Sequence, residues 1–95
     1  MSQLKKLLLV DDDEDLREAL SEQLVITEDF DVFEAGDGAG AMERVKEALY
    51  DLIILDVGLP DTDGRELCKL MRKQGVKSPI IMLTGHDSDA DTILG

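Results

Sequence analysis

Three apolar runs in this 95-residue sequence lead directly into oxygen-bearing side chains, and those side chains are the ones that could do chemistry. Leu7-Leu8-Leu9-Val10 runs into Asp11 and Asp12, Leu52-Ile53-Ile54-Leu55 stops at Asp56, and Pro79-Ile80-Ile81-Met82-Leu83 runs into Thr84. Carboxylates that converge repel one another unless a cation neutralises them. A hard divalent cation with oxygen ligands does this, and Mg²⁺ suits a site that keeps several waters. A carboxylate beside such a metal can act as a nucleophile toward phosphorus. The metal then offsets charge on the phosphoryl oxygens in flight, and a hydroxyl such as that of Thr84 could hydrogen-bond the product.

These residues need a scaffold that brings separate strand ends to one edge. The sequence alternates strand-like and helix-like segments in the order β-α-β-α-β-α-β, with the start of a further helix near Asp89. After the cluster Asp11-Asp12-Asp13-Glu14-Asp15, the spacing of Leu16, Leu20 and Leu24, with Ala19 and Gln23 between, predicts a helix reaching about Ile26. Acidic residues in its first turn suit the helix dipole. Phe30 to Ala35 alternates as a short strand, and Gly36-Asp37-Gly38 turns the chain into a helix expected to carry Ala41, Met42, Val45 and Leu49 on one face. Pro60 and Gly64 punctuate the loop after Asp56. Asp63 is placed to cap the third helix, with Glu66 completing a capping box, Leu67, Leu70 and Met71 facing inward and Gly75 ending it. Pro79 stands at the first position of the last strand, where a missing donor is tolerated. Such alternation implies right-handed crossovers and a parallel sheet with helices on both faces. Ligand sites in such sheets lie outside the carboxyl ends of the strands, where Asp11, Asp12, Asp56 and Thr84 stand.

Composition narrows the function classes. A net charge of -12 argues against phosphate-mediated nucleic-acid binding and against polybasic attachment to anionic lipid. The single cysteine, Cys68, excludes an internal disulfide and points to a reducing compartment; it reads as a small residue packed on a helix. No stretch approaches membrane-spanning length, and Leu7 to Val10 is too short for a signal peptide, so a cytoplasmic location is expected. One small domain, residues 1–95, is the expectation from length.

Taken in order, Leu8-Leu9-Val10-Asp11-Asp12-Asp13, then Leu55-Asp56-Val57-Gly58-Leu59-Pro60-Asp61-Thr62-Asp63-Gly64, then Pro79-Ile80-Ile81-Met82-Leu83-Thr84-Gly85 resemble a response-regulator receiver domain of a bacterial two-component system. The motifs are weak singly and specific jointly. The resemblance implies a flavodoxin-like doubly wound sheet of strand order 2-1-3-4. It makes Asp56 the phosphoacceptor for a histidine kinase or phosphotransfer protein. Asp12 would hold Mg²⁺ directly, Asp11 through water, and the Gly58 carbonyl would be a further ligand. Thr84 would be the switch hydroxyl, and Gly58 and His86 occupy two positions at which the family tunes dephosphorylation. Such a domain catalyses its own phosphorylation and dephosphorylation without being a conventional enzyme.

The resemblance stops in the fourth helix. The family's fifth strand, with a lysine that contacts the phosphoryl group and a switch aromatic, and its fifth helix have no counterpart here. Impaired phosphotransfer is therefore expected, as are an apolar edge beside Pro79 to Leu83 and dimerisation, element swapping or low stability. The start of the last helix, Asp89 to Gly95, resembles receivers fused to winged-helix DNA-binding domains, which implies transcription regulation in a parent protein. No effector domain is present, so no direct nucleic-acid binding is expected.

Other readings of the same residues are weaker. Gly36-Asp37-Gly38-Ala39-Gly40 could pass for a dinucleotide loop, but it follows the second strand and puts a carboxylate where pyrophosphate would lie; a turn plus helix start is simpler. A calcium loop at Asp11 to Asp15 fails because Leu16 stands where the turn needs glycine. His86, the only histidine, reads as an exposed loop residue, and Met42, Met71 and Met82 as core fillers. An aspartyl-phosphate hydrolase would place a second Asp where Gly58 stands. A phosphorylation-independent pseudo-receiver acting as an interaction module is the alternative in a different functional class.

Overall fold

The computed structural model describes residues 4–83; Thr84, Gly85, His86 and the helix expected near Asp89 lie outside them. The elements are β1 (Lys5–Val10), α1 (Glu14–Ile26), β2 (Phe30–Ala35), α2 (Gly38–Glu47), β3 (Leu52–Asp56), α3 (Gly64–Lys73) and β4 (Ile80–Leu83). The four strands form one parallel sheet in the order β2-β1-β3-β4. This is the predicted strand order. β1 and β3 are central, and Leu7 to Val10 are at most 1% exposed, which accounts for the unbroken apolar run that β1 shows in sequence.

The two faces of the sheet are covered unequally. Leu8, Val10, Ile53, Leu55, Ile80 and Met82 pack with Ala41 of α2 and with Leu67 and Met71 of α3 in one continuous core. Tyr50 closes it from below, with its ring edge-on to Phe33 at 5.6 Å between centroids. On the other face α1 lies along β1 and β2. None of its residues is buried, and Leu16, Val25 and Ile26 are exposed. Leu52, Ile54, Ile81 and Leu83 are only half-buried. The firm core is therefore on the α2/α3 side, and truncating Leu67 to alanine should destabilise the fold by about 2–5 kcal/mol. Urea or thermal unfolding followed by circular dichroism measures this directly.

Three sequence expectations need correction. Leu49 is not on the buried face of α2: that helix ends at Glu47, its cap Ala48 is extended, and Leu49 is 88% exposed. Leu70 does not face inward. The buried stripe of α3 is Gly64, Leu67 and Met71, and Leu70 stands about a quarter turn from its centre. The capping box is incomplete as well. Asp63 caps α3 by accepting from Arg65 N, while the Glu66 carboxylate lies 3.6 Å from Lys69 Nζ. Gly75 does end α3: with φ +97° it allows Gly75 N and Val76 N to donate back to the Arg72 and Met71 carbonyls.

Candidate functional site

The acidic site begins where β1 gives way to α1. Asp11 N continues the ladder by donating to the Ala35 carbonyl at the end of β2, 3.1 Å away. Its carboxylate turns back and accepts from Asp13 N at 2.9 Å. Asp13 in turn caps α1, accepting from Leu16 N at 3.1 Å. The acidic cluster thus divides its work: Asp13 serves the helix, while Asp11 and Asp12 are left at the strand end.

Asp56 closes β3 one strand away. The ladder extends past it, since Val57 N donates to the Leu83 carbonyl at 3.0 Å. The loop that follows is tightly folded: the Val57 carbonyl accepts from Gly64 N at 2.8 Å and Leu59 N at 3.2 Å. Gly58 forms an isolated bridge with Asp63. Gly58 is exposed, and a Cβ built there would meet nothing within 4 Å, so the residue leaves open space two positions after Asp56. Gly64 is the opposite case: a Cβ there would lie 2.3 Å from the Asp56 carbonyl oxygen and 2.8 Å from Val57 Cα.

The geometry brings Asp11, Asp12 and Asp56 together, with one carboxylate oxygen of each lying within 4.8 Å of the others. Asp11 is 3% exposed, Asp56 is half-buried and Asp12 faces solvent. Burial pushes the Asp11 carboxyl above its ordinary range; the Asp13 amide works against this, and the nearby charges of Asp56, Asp12 and Asp13 add to it. Three carboxylate oxygens with a solvent-facing side at Asp12 fit a hard cation such as Mg²⁺. Thr84 and His86 fall outside the described residues, so their places in the site come from sequence alone.

One contact beside the site gave no signal in the sequence. Asp61, beyond Pro60, reaches back to the start of α2, where its carboxylate accepts from Gly38 N at 2.8 Å and Ala39 N at 3.1 Å. A Cβ on Gly38 would sit 2.6 Å from the Thr62 side chain, so glycine is what lets the loop dock there. Asp37 caps the same helix through Gly40 N at 2.8 Å, so the glycine-rich segment is a turn and helix start. The Gly38 amide lowers the Asp61 carboxyl below the ordinary range, helped by Ala39. A carboxyl lowered on folding contributes stability above its unfolded range, and that contribution is lost as pH falls through the lowered value. Amide shifts of Gly38 and Ala39 should accordingly titrate below the ordinary aspartate range, and Asp61→Asn should remove that transition.

Comparison with known proteins places the chain. Residues 7–94 match the model of the response regulator receiver domain. The chain is 43% identical over 91 residues to the alkaline phosphatase synthesis transcriptional regulatory protein PhoP of Bacillus subtilis, covering 96% of this chain but 38% of that protein. Among solved structures it resembles the chemotaxis response regulator CheY4 of Vibrio cholerae, with a TM-score of 0.82 at 35% identity over 90% of this chain and 72% of that one. It also resembles the response regulator TrrA of Thermotoga maritima, solved in complex with Mg²⁺ and BeF, with a TM-score of 0.77 at 33% identity over 87% and 73% of the two chains. The single parallel sheet with helices on both faces, the acidic strand ends and these likenesses agree: the chain belongs to the response-regulator receiver domain family of two-component systems.

Proposed function

We propose that this chain accepts a phosphoryl group on Asp56 from a histidine kinase or phosphotransfer protein, using Mg²⁺ held by Asp11, Asp12, Asp56 and the Gly58 carbonyl. The observation that carries the reading is the meeting of three carboxylates at the ends of the two central strands. An Asp56 carboxylate oxygen attacks phosphorus while the bond from phosphorus to the donor nitrogen breaks, and the nitrogen keeps the electron pair. A bound Mg²⁺ would offset negative charge on the transferring oxygens. Thr84, which follows directly on β4, would hydrogen-bond the new phosphoryl group, and Gly58 and His86 would set the access of water to it.

The protein acts in the cytoplasm on this reading. Among the described residues no helix is long and apolar enough to cross a membrane. Among the described residues one sheet face is half-buried and β4 is an outer strand, features that suit pairing with a second copy, so a homodimer or swapped oligomer is part of the proposal. The likeness to PhoP supports transcription regulation as the output of a longer protein, because the chain spans 38% of that relative's length.

A Mg²⁺ titration followed through the Asp12 and Asp56 amide resonances tests the core of the reading. A saturable site is expected. Its absence would leave a receiver-like interaction module that works without phosphorylation.

A further inference from the structure

We infer that Arg17 is a positioning residue for the metal site, orienting Asp12 by gripping the backbone carbonyl of Asp11. The inference rests on the reading of Asp11, Asp12 and Asp56 as the Mg²⁺ ligands.

Arg17 lies one turn into α1, and its side chain, 17% exposed, folds back toward the end of β1. Its Nη1 donates to the Asp11 carbonyl oxygen at 2.7 Å, and its Nε donates to Glu34 Oε1 at 3.1 Å. The second oxygen of Glu34 accepts from Ser21 Oγ at 2.8 Å, one turn further along α1. The guanidinium is therefore clamped between β1 and β2 by a carboxylate that is itself fixed. Gly36 leaves room for it, since a Cβ there would lie 3.1 Å from Nη1.

The consequence follows from peptide geometry. The Asp11 carbonyl belongs to the planar unit that joins Asp11 to Asp12. The Asp11 amide is already held by Ala35, and the Asp11 carboxylate by Asp13 N. Holding the carbonyl fixes the remaining freedom of that plane, and with it the direction in which Asp12 leaves the chain. Asp12 needs this support because it is exposed, and among the described residues no hydrogen bond holds its carboxylate. A donor locked in place by groups outside the ligand set binds a metal more tightly than one free to turn. Fork-shaped Arg suits the task because one guanidinium can serve Glu34 and Asp11 at once.

The test compares Mg²⁺ binding by the full chain and its Arg17→Met, Arg17→Lys and Glu34→Ala variants, read through the Asp12 and Asp56 amide resonances. Carbonyl ¹³C shifts of Asp11 and melting temperatures are taken without metal. Arg17→Met should weaken Mg²⁺ by about tenfold or more, as loss of a group that orients a ligand typically does. It should also move the metal-free Asp11 carbonyl shift. Arg17→Lys retains a donor for that carbonyl and should recover most of the affinity, even if its melting temperature falls as far as that of the methionine variant. Glu34→Ala frees the guanidinium without touching the site and should weaken binding by a smaller factor; it carries the test if Arg17→Met does not fold. A folded Arg17→Met, or failing that Glu34→Ala, with unchanged Mg²⁺ affinity would overturn the inference while leaving the metal site intact. Absence of saturable Mg²⁺ binding by the unaltered chain would overturn both.

Discussion

Asp56→Asn is expected to abolish labelling of the chain by acetyl phosphate in the presence of Mg²⁺, measured as loss of the phosphoryl mass increment on the intact protein. An amide is not a nucleophile toward phosphorus, so the effect on transfer should be complete. The same substitution should make the metal-free fold more stable. Asp11 is nearly inaccessible, and the charge of Asp56 is one of the influences holding its carboxyl above the ordinary range. A carboxyl raised on folding contributes stability that is fully present below its unfolded range and lost as pH rises through the raised value. At neutral pH the native state therefore carries this repulsion, and removing one charge relieves on the order of 1 kcal/mol of it. Activity and stability should move in opposite directions in one variant, with the stability gain shrinking under acid conditions. A melting temperature that falls instead would show that Asp56 is held as an ordinary structural carboxylate.

The second large effect is expected from a methyl group. Gly64→Ala puts a carbon where the Asp56 carbonyl oxygen and Val57 Cα already stand, at 2.3 and 2.8 Å. Neither is the tip of a flexible side chain, so α3 must move away from β3 or the strand end must yield. Overpacking of this kind costs typically 1–3 kcal/mol, and rigid backbone on both sides puts the expected cost at about 3 kcal/mol or more. Because Gly64 N also donates to the Val57 carbonyl, the displacement should reach the acceptor loop. Denaturant unfolding should show the loss. Mg²⁺ affinity should fall even where the variant stays folded, whereas alanine at Gly58, with nothing within 4 Å of its Cβ, should be tolerated by the fold.

Much of this was readable from residue types because β1 is covered on both sides and β3 is apolar on both, though one of its faces is only half-buried. Leu7 to Val10 and Leu52 to Leu55 announce themselves as unbroken apolar runs, and the polar residue that breaks each run is the one delivered to the site. Charged residues hid the beginning of β1. Lys5 and Lys6 pair with Phe30 and Asp31, and Lys6 N is fixed by Asp51 at 2.8 Å, so the strand begins before its apolar part. Leu49 and Leu70 misled for different reasons: α2 ends at Glu47, before Leu49, whereas Leu70 stays on α3 but outside its narrow buried stripe. The contacts of Asp61, Arg17 and Gly64 were illegible because each depends on a residue brought close by the fold. A glycine in the first turn of a helix, where it is a poor helix former, was the one available hint that space mattered at position 64.

The pairing of β1 with β3 also bears on how accurately the site is machined. Val10 lies opposite Leu55 in a parallel ladder, so Asp11 and Asp56 are the next residues on neighbouring rails. Their separation is inherited from the spacing between two hydrogen-bonded strands, a length that hardly varies among sheets. A slip of one residue would turn every core side chain of a strand to the wrong face, so the register admits no intermediate setting. Sequence drift in the connecting segments can then proceed without changing the spacing of these two carboxylate-bearing positions. The distance between Asp11 and Asp56 is thus set by the strands and not by the loops that follow them.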